Sequence, residues 1–167
     1  MKPSRRTLAA GAAALAAAGL AAAPAFAADT NVSVTVNETL AITASTASVD
    51  FGAVAEGANP SSPASVTVKS NHVGGYQLAV SRTAFTNGDI PLTFAPGATP
   101  SGAVADAAAD TAIPTAGSLN IGHRAAGANE ITPSLGDAWS FNLKLGPVPF
   151  VRAGAHSSTV TFTVVGL

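Results

Sequence analysis

The chain has 167 residues, no cysteine and a formal net charge of −1, and only 10% of it is charged, where roughly 25% is usual. That balance offers no basic surface for nucleic acid or anionic lipid and no disulfide framework. Its polar faces have to be built from Thr, Ser, Asn and backbone.

Lys2, Arg5 and Arg6 open the chain, and Thr7 to Ala23 carries no charge before Pro24 and Ala25-Phe26-Ala27. Ala25 and Ala27 are the small residues that signal peptidase selects ahead of its cut. Residues 1–27 are therefore read as a removable signal peptide. The stretch is mostly Ala and Gly, which partition weakly into lipid, so a permanent anchor is the poorer reading. Ser4-Arg5-Arg6-Thr7-Leu8 resembles the twin-arginine motif, so export by Sec or Tat is expected. The expected location is secreted or cell surface, with no membrane contact after cleavage.

Residues 28–167 suit a single domain with a real core. They keep five of the eight basic residues and all nine acidic ones, a formal net charge of −4. From here the apolar period is two, the signature of strands. Val32, Val34 and Val36 alternate with Ser33 and Thr35, and Leu40 and Ile42 follow. These are read as the first strands of the chain's own sandwich. The alternative is that Val32, Val34 and Val36 add as a strand to a neighbouring subunit.

Val49 and Phe51 precede Gly52; Val66 and Val68 alternate with Thr67 and Lys69. Tyr76, Leu78 and Val80 follow Gly74-Gly75, and Ile90, Leu92 and Phe94 follow Asn87-Gly88-Asp89. Ala103 to Ala112 is Ala-rich but flanked by prolines, so it is read as a loop with at most one helical turn. Leu119 and Ile121 form a short run. Trp139, Phe141, Leu143 and Leu145 alternate with polar residues, as do Val160, Phe162 and Val164 with threonines. About nine strands separated by turn residues predict an all-β, antiparallel two-sheet β-sandwich, immunoglobulin-like in the loose sense. The inward set is expected to be Val34, Phe51, Val66, Val68, Leu78, Val80, Leu92, Phe94, Phe141, Leu143, Val160, Phe162 and Val164.

Three passages together carry a resemblance. They are Val49-Asp50-Phe51-Gly52-Ala53-Val54 followed by a Gly/Pro/Ser loop and Ser65-Val66-Thr67-Val68, then Ser70-Asn71-His72-Val73-Gly74-Gly75-Tyr76-Gln77-Leu78-Ala79-Val80, and the ending from Arg152 through Thr159-Val160-Thr161-Phe162-Thr163-Val164. Their order resembles secreted bacterial β-sandwich surface domains, the WxL-type cell-wall-binding domains and the spore-coat-U-like or pilin-like modules. Tyr76-Gln77-Leu78 and Phe162-Thr163-Val164 stand where the WxL family has Trp-x-Leu. The resemblance implies wall or ligand contact at Tyr76, Leu78, Phe162 and Val164, with peptidoglycan or other surface proteins as partners.

No catalytic, cofactor or metal constellation is read from the chain. His72, His123 and His156 have no zinc spacing and lie near turns. Ser157 and Ser158 follow His156 without a nucleophile elbow. Asp106 and Asp110 share a loop but lack the dense oxygen pattern of calcium loops. The expectation is a non-enzymatic structural or cell-wall-associated surface protein. The alternatives are a subunit of a fibre assembled by strand addition and, behind it, a secreted wall-polymer hydrolase with His and acids meeting in a cleft.

Overall fold

The computed structural model describes residues 33–127 and 131–167. The signal-peptide segment and Val32 lie outside the described residues. The chain divides into Met1–Thr35 and Val36–Leu167, and the fold below is that of the second unit.

Among the described residues there are nine strands and no helix. They are β1 (Leu40–Ala44), β2 (Ser61–Ser70), β3 (Gly75–Arg82), β4 (Leu92–Pro96), β5 (Val104–Ala105), β6 (Thr111–Ala112), β7 (Leu119–Ala125), β8 (Asp137–Leu145) and β9 (Val160–Gly166). One antiparallel sheet has the order β1-β2-β8-β4-β6 and the other β5-β7-β3-β9. The expected antiparallel β-sandwich is what the chain forms.

Period-two alternation places one face of each long strand inward. In β8, Asp137, Trp139, Phe141, Leu143 and Leu145 are buried while Ala138, Ser140 and Asn142 are exposed. Val66 and Val68 of β2 and Leu92 and Phe94 of β4 join them from the same sheet. Tyr76, Leu78 and Val80 of β3 and Ile121 of β7 meet them from the other. Phe141 sits 5.2 Å from Phe94 and 5.0 Å from Phe162, ring centre to ring centre. This aromatic row runs from the middle of one sheet to the last strand of the other.

Two expected strands are absent, and two short ones take their place in the count. Residues 33–39 form no strand, and Val34 and Val36 are 85% and 76% exposed. Val34 therefore leaves the inward set. Val49 and Phe51 are half-buried against the core without entering a sheet. The Asp50 carboxylate accepts the Gly52 N–H at 2.8 Å, and Gly52 takes a φ of +66°, so the chain turns instead of extending. The Ala-rich loop supplies β5 and β6, two residues each, paired to β7 and β4.

Sheet edges decide where the sandwich is open. β1 ends one sheet, β9 ends the other, and the two strands are neighbours. β1 pairs with β2 only from Val66 to Ser70, so the Ser61–Ala64 half of β2 has no β1 partner. Pro63 falls in that half, the kind of position where a missing N–H is tolerated. Val160, Phe162 and Val164 are only half-buried, because among the described residues no strand continues the sheet beyond β9.

Candidate functional site

The least ordinary part of the interior is polar. Asp137, at the start of β8, is 2% exposed. Arg124 of β7 donates to its carboxylate through Nε at 2.8 Å and Nη2 at 2.6 Å. The Tyr76 hydroxyl donates to the same carboxylate at 2.6 Å, and Trp139 Nε1 donates to the Tyr76 oxygen at 2.8 Å. Arg124 also donates to the Ser101 carbonyl at 2.8 Å. Tyr76 and Arg124 are cross-strand partners in one sheet, while Asp137 and Trp139 belong to the other. The four side chains therefore clasp the two layers together.

The electrostatics of this clasp follow from its burial. Desolvation, and next the hydrogen bond to Asp137, push the Tyr76 hydroxyl far above the ordinary phenol range, so it stays a neutral donor. The hydrogen bonds to Asp137 raise Arg124 further above its already high value. An ion pair this deep needs hydrogen bonds on every side to offset desolvation, and here it has them. The arrangement fixes structure. Its aromatic members, Tyr76 and Trp139, are both buried.

A β-bulge puts Arg124 there. In β3 and β7, Leu78 pairs with Gly122 and Ala79 with Asn120, so Ile121 is the extra residue. The bulge reverses the side-chain phase of β7, turning Arg124 inward and His123 outward. Gly122 then lies under the Trp139 indole, where a Cβ would come within 2.2 Å of the ring. Strict alternation from Leu119 and Ile121 points to the opposite phase. The only sequence signal for the clasp is the lone Tyr and lone Trp on apolar phases.

Of the residues tied to the family resemblance, Tyr76 and Leu78 have no exposed surface. The Tyr76 hydroxyl is engaged in the clasp. Phe162 and Val164 are half-buried on β9. Phe162 faces a cleft.

That cleft lies between the layers on the open side. It holds about 400 Å³ and is walled by Val49, Phe51, Phe85, Leu92, Val160 and Phe162, among others. A second cleft of about 680 Å³ shares Val49, Phe51, Phe85 and His156 with it and runs on to Val54, Val148 and Phe150. Phe150 is 89% exposed at its rim. Beside the first cleft runs the outer edge of β9. The Thr83 N–H donates to the Thr159 carbonyl and the Leu167 N–H to the Gly75 carbonyl. Odd-numbered residues of β9 thus bond toward β3. By alternation, the N–H and C=O groups of Val160, Phe162 and Val164 point to the open side.

The histidines do not converge. His72 accepts the Gly74 N–H on Nδ1 and sets Nε2 4.0 Å from Glu38. His123 Nδ1 is 2.7 Å from Asp106, whose other oxygen accepts from Gln77 at 2.8 Å. His156 lies between two loop carbonyls. The His123–Asp106 pair is on the outer face of its sheet, away from both clefts. Asp110 meets Lys144 at 3.1 Å rather than joining Asp106. Among the described residues no three His, Asp or Glu side chains gather as a metal-ligand set. The sequence matches no family model and no curated protein.

Proposed function

We propose that this chain is an exported, non-enzymatic structural protein of the cell surface that assembles through the open side of its sandwich. The observation that carries this reading is the outer backbone edge of β9 lying beside an apolar cleft. A strand added there gains main-chain hydrogen bonds from Val160, Phe162 and Val164 and drops alternate side chains into the cleft. The edge itself alternates Val and Phe with Thr. It lacks the Lys and Pro that commonly protect open strands.

The chain carries a segment of the right kind. Val32, Val34 and Val36 alternate with Ser33 and Thr35, and Val34 and Val36 are exposed. A second copy is therefore the partner we assign to the cleft. Sedimentation of the chain beginning at Ala28 tests this. Self-association is expected to rise with concentration and to vanish in Val34→Lys/Val36→Lys, with the melting temperature unchanged. A chain that stays monomeric at every concentration, or a double variant that assembles as the wild type does, overturns the reading.

One observation favours a second reading, noncovalent attachment to peptidoglycan. Phe150 stands exposed over a cleft that also holds Asp50, Glu56 and Arg152, a pairing of aromatic face and polar groups suited to sugars. Co-sedimentation with purified cell walls, with Phe150→Ala as the comparison, tests it. Equal retention of both proteins counts against this contact.

A further inference from the structure

His156 turns both ring nitrogens toward backbone carbonyls: Nδ1 is 2.7 Å from the Thr86 oxygen and Nε2 is 2.8 Å from the Arg152 oxygen. A neutral imidazole has one N–H. Its other nitrogen would set a lone pair against a carbonyl lone pair at hydrogen-bond distance. The imidazolium has two N–H groups and satisfies both carbonyls. We propose that His156 is a charge-dependent clasp, which as imidazolium ties its own loop, between β8 and β9, both to Thr86 in the loop between β3 and β4 and back onto its own Arg152, and on losing its proton releases one of these two ties.

The position gives the clasp consequence. His156 is a wall residue of both clefts, at the point where they meet. The neighbouring ties do not titrate: Thr86 N–H donates to the Ser157 carbonyl, Ser157 N–H donates to Thr86 Oγ1, and Asn87 Nδ2 donates to the Ala155 carbonyl. They hold the C-terminal part of the loop at either charge state. The part that depends on His156 is the turn from Phe150 to Ala155, drawn back on itself by the bond to the Arg152 carbonyl. Asp50, Glu56 and Arg152 share the wall of the second cleft with the ring. Asp89, on the facing loop, is engaged by Arg82 at 2.7 Å and 3.0 Å. The clasp stands whether or not the cleft receives a strand.

The test is nuclear magnetic resonance of the 15N-labelled full chain, reading the His156 ring nitrogens and the heteronuclear 1H–15N NOE of residues 150–156, at pH values on either side of the ordinary histidine range. At about pH 5.5 both ring nitrogens are expected to show the protonated shift, with loop NOE values close to those of β3 and β8. At about pH 8.5 one nitrogen should show the unprotonated shift, and the loop NOE values should fall well below those of the strands. His156→Gln should remove this pH dependence while leaving the NOE values of β3 and β8 as in the wild type. Equal loop values at the two pH values overturn the proposal, as does the same pH-dependent fall in His156→Gln.

Discussion

Replacing Asp137 with Ala tests whether the buried clasp holds the two layers together. The carboxylate accepts three hydrogen bonds, one from Tyr76 and two from Arg124, and it is the counter-charge of a guanidinium whose side chain is 3% exposed. Breaking a buried pair from one side leaves an uncompensated charge and costs about 3–5 kcal/mol. A domain of this size has roughly 5–15 kcal/mol in all, so the variant should be folded but fragile. Arg124→Met/Asp137→Leu removes both charges and fills their space with apolar atoms. It should cost less than either single change, because the desolvation that opposed the pair disappears as well. Urea unfolding followed by Trp139 fluorescence measures all of these. Trp139 is the only tryptophan and hydrogen-bonds to Tyr76 within the network. A loss below about 1 kcal/mol in Asp137→Ala, or a double variant as costly as the sum of the singles, would refute the reasoning.

Gly122→Ala should destabilise by about 1–3 kcal/mol through overpacking, since the indole it meets at 2.2 Å is held by its own hydrogen bond; thermal melts check this. Phe162→Ala should cost about 1–2 kcal/mol, less than the 3–5 of a fully buried Phe, because one side of the ring faces the cleft; chemical denaturation measures it. Asp89 is held at about 2, below its ordinary 3.8, by its hydrogen bonds to Arg82. A depressed carboxylate lends stability above its unfolded value and loses it as pH falls through the folded one. The melting-temperature advantage of wild type over Asp89→Asn should therefore shrink between about pH 4 and pH 2. It should also be modest throughout, because Asp89 is half exposed. An advantage that grows on acidification would contradict the assignment.

What the sequence determined by itself is the layer architecture and most of its core. Period-two alternation is a local property of each strand, and burial of one face follows from it directly. Val66, Val68, Leu78, Val80, Leu92, Phe94, Phe141 and Leu143 are all buried as the pattern requires. Alternation says which side a residue takes but not whether a partner strand exists. Val34 has the pattern and no strand, and Phe51 has the apolar character but turns away at Gly52. β5 and β6 are strands because β7 and β4 present edges to them, which no local propensity encodes.

Two features, the buried clasp and the open cleft, were settled only by tertiary structure. The clasp depends on a single extra residue, Ile121, that reverses the phase of β7 and sends Arg124 inward to Asp137. A bulge is a property of two paired strands, so one strand's sequence does not display it. The open cleft depends on β1 and β9 both ending their sheets on the same side. Strand order is fixed by long-range pairing. A strand reads the same in sequence whether its outer edge is covered or bare.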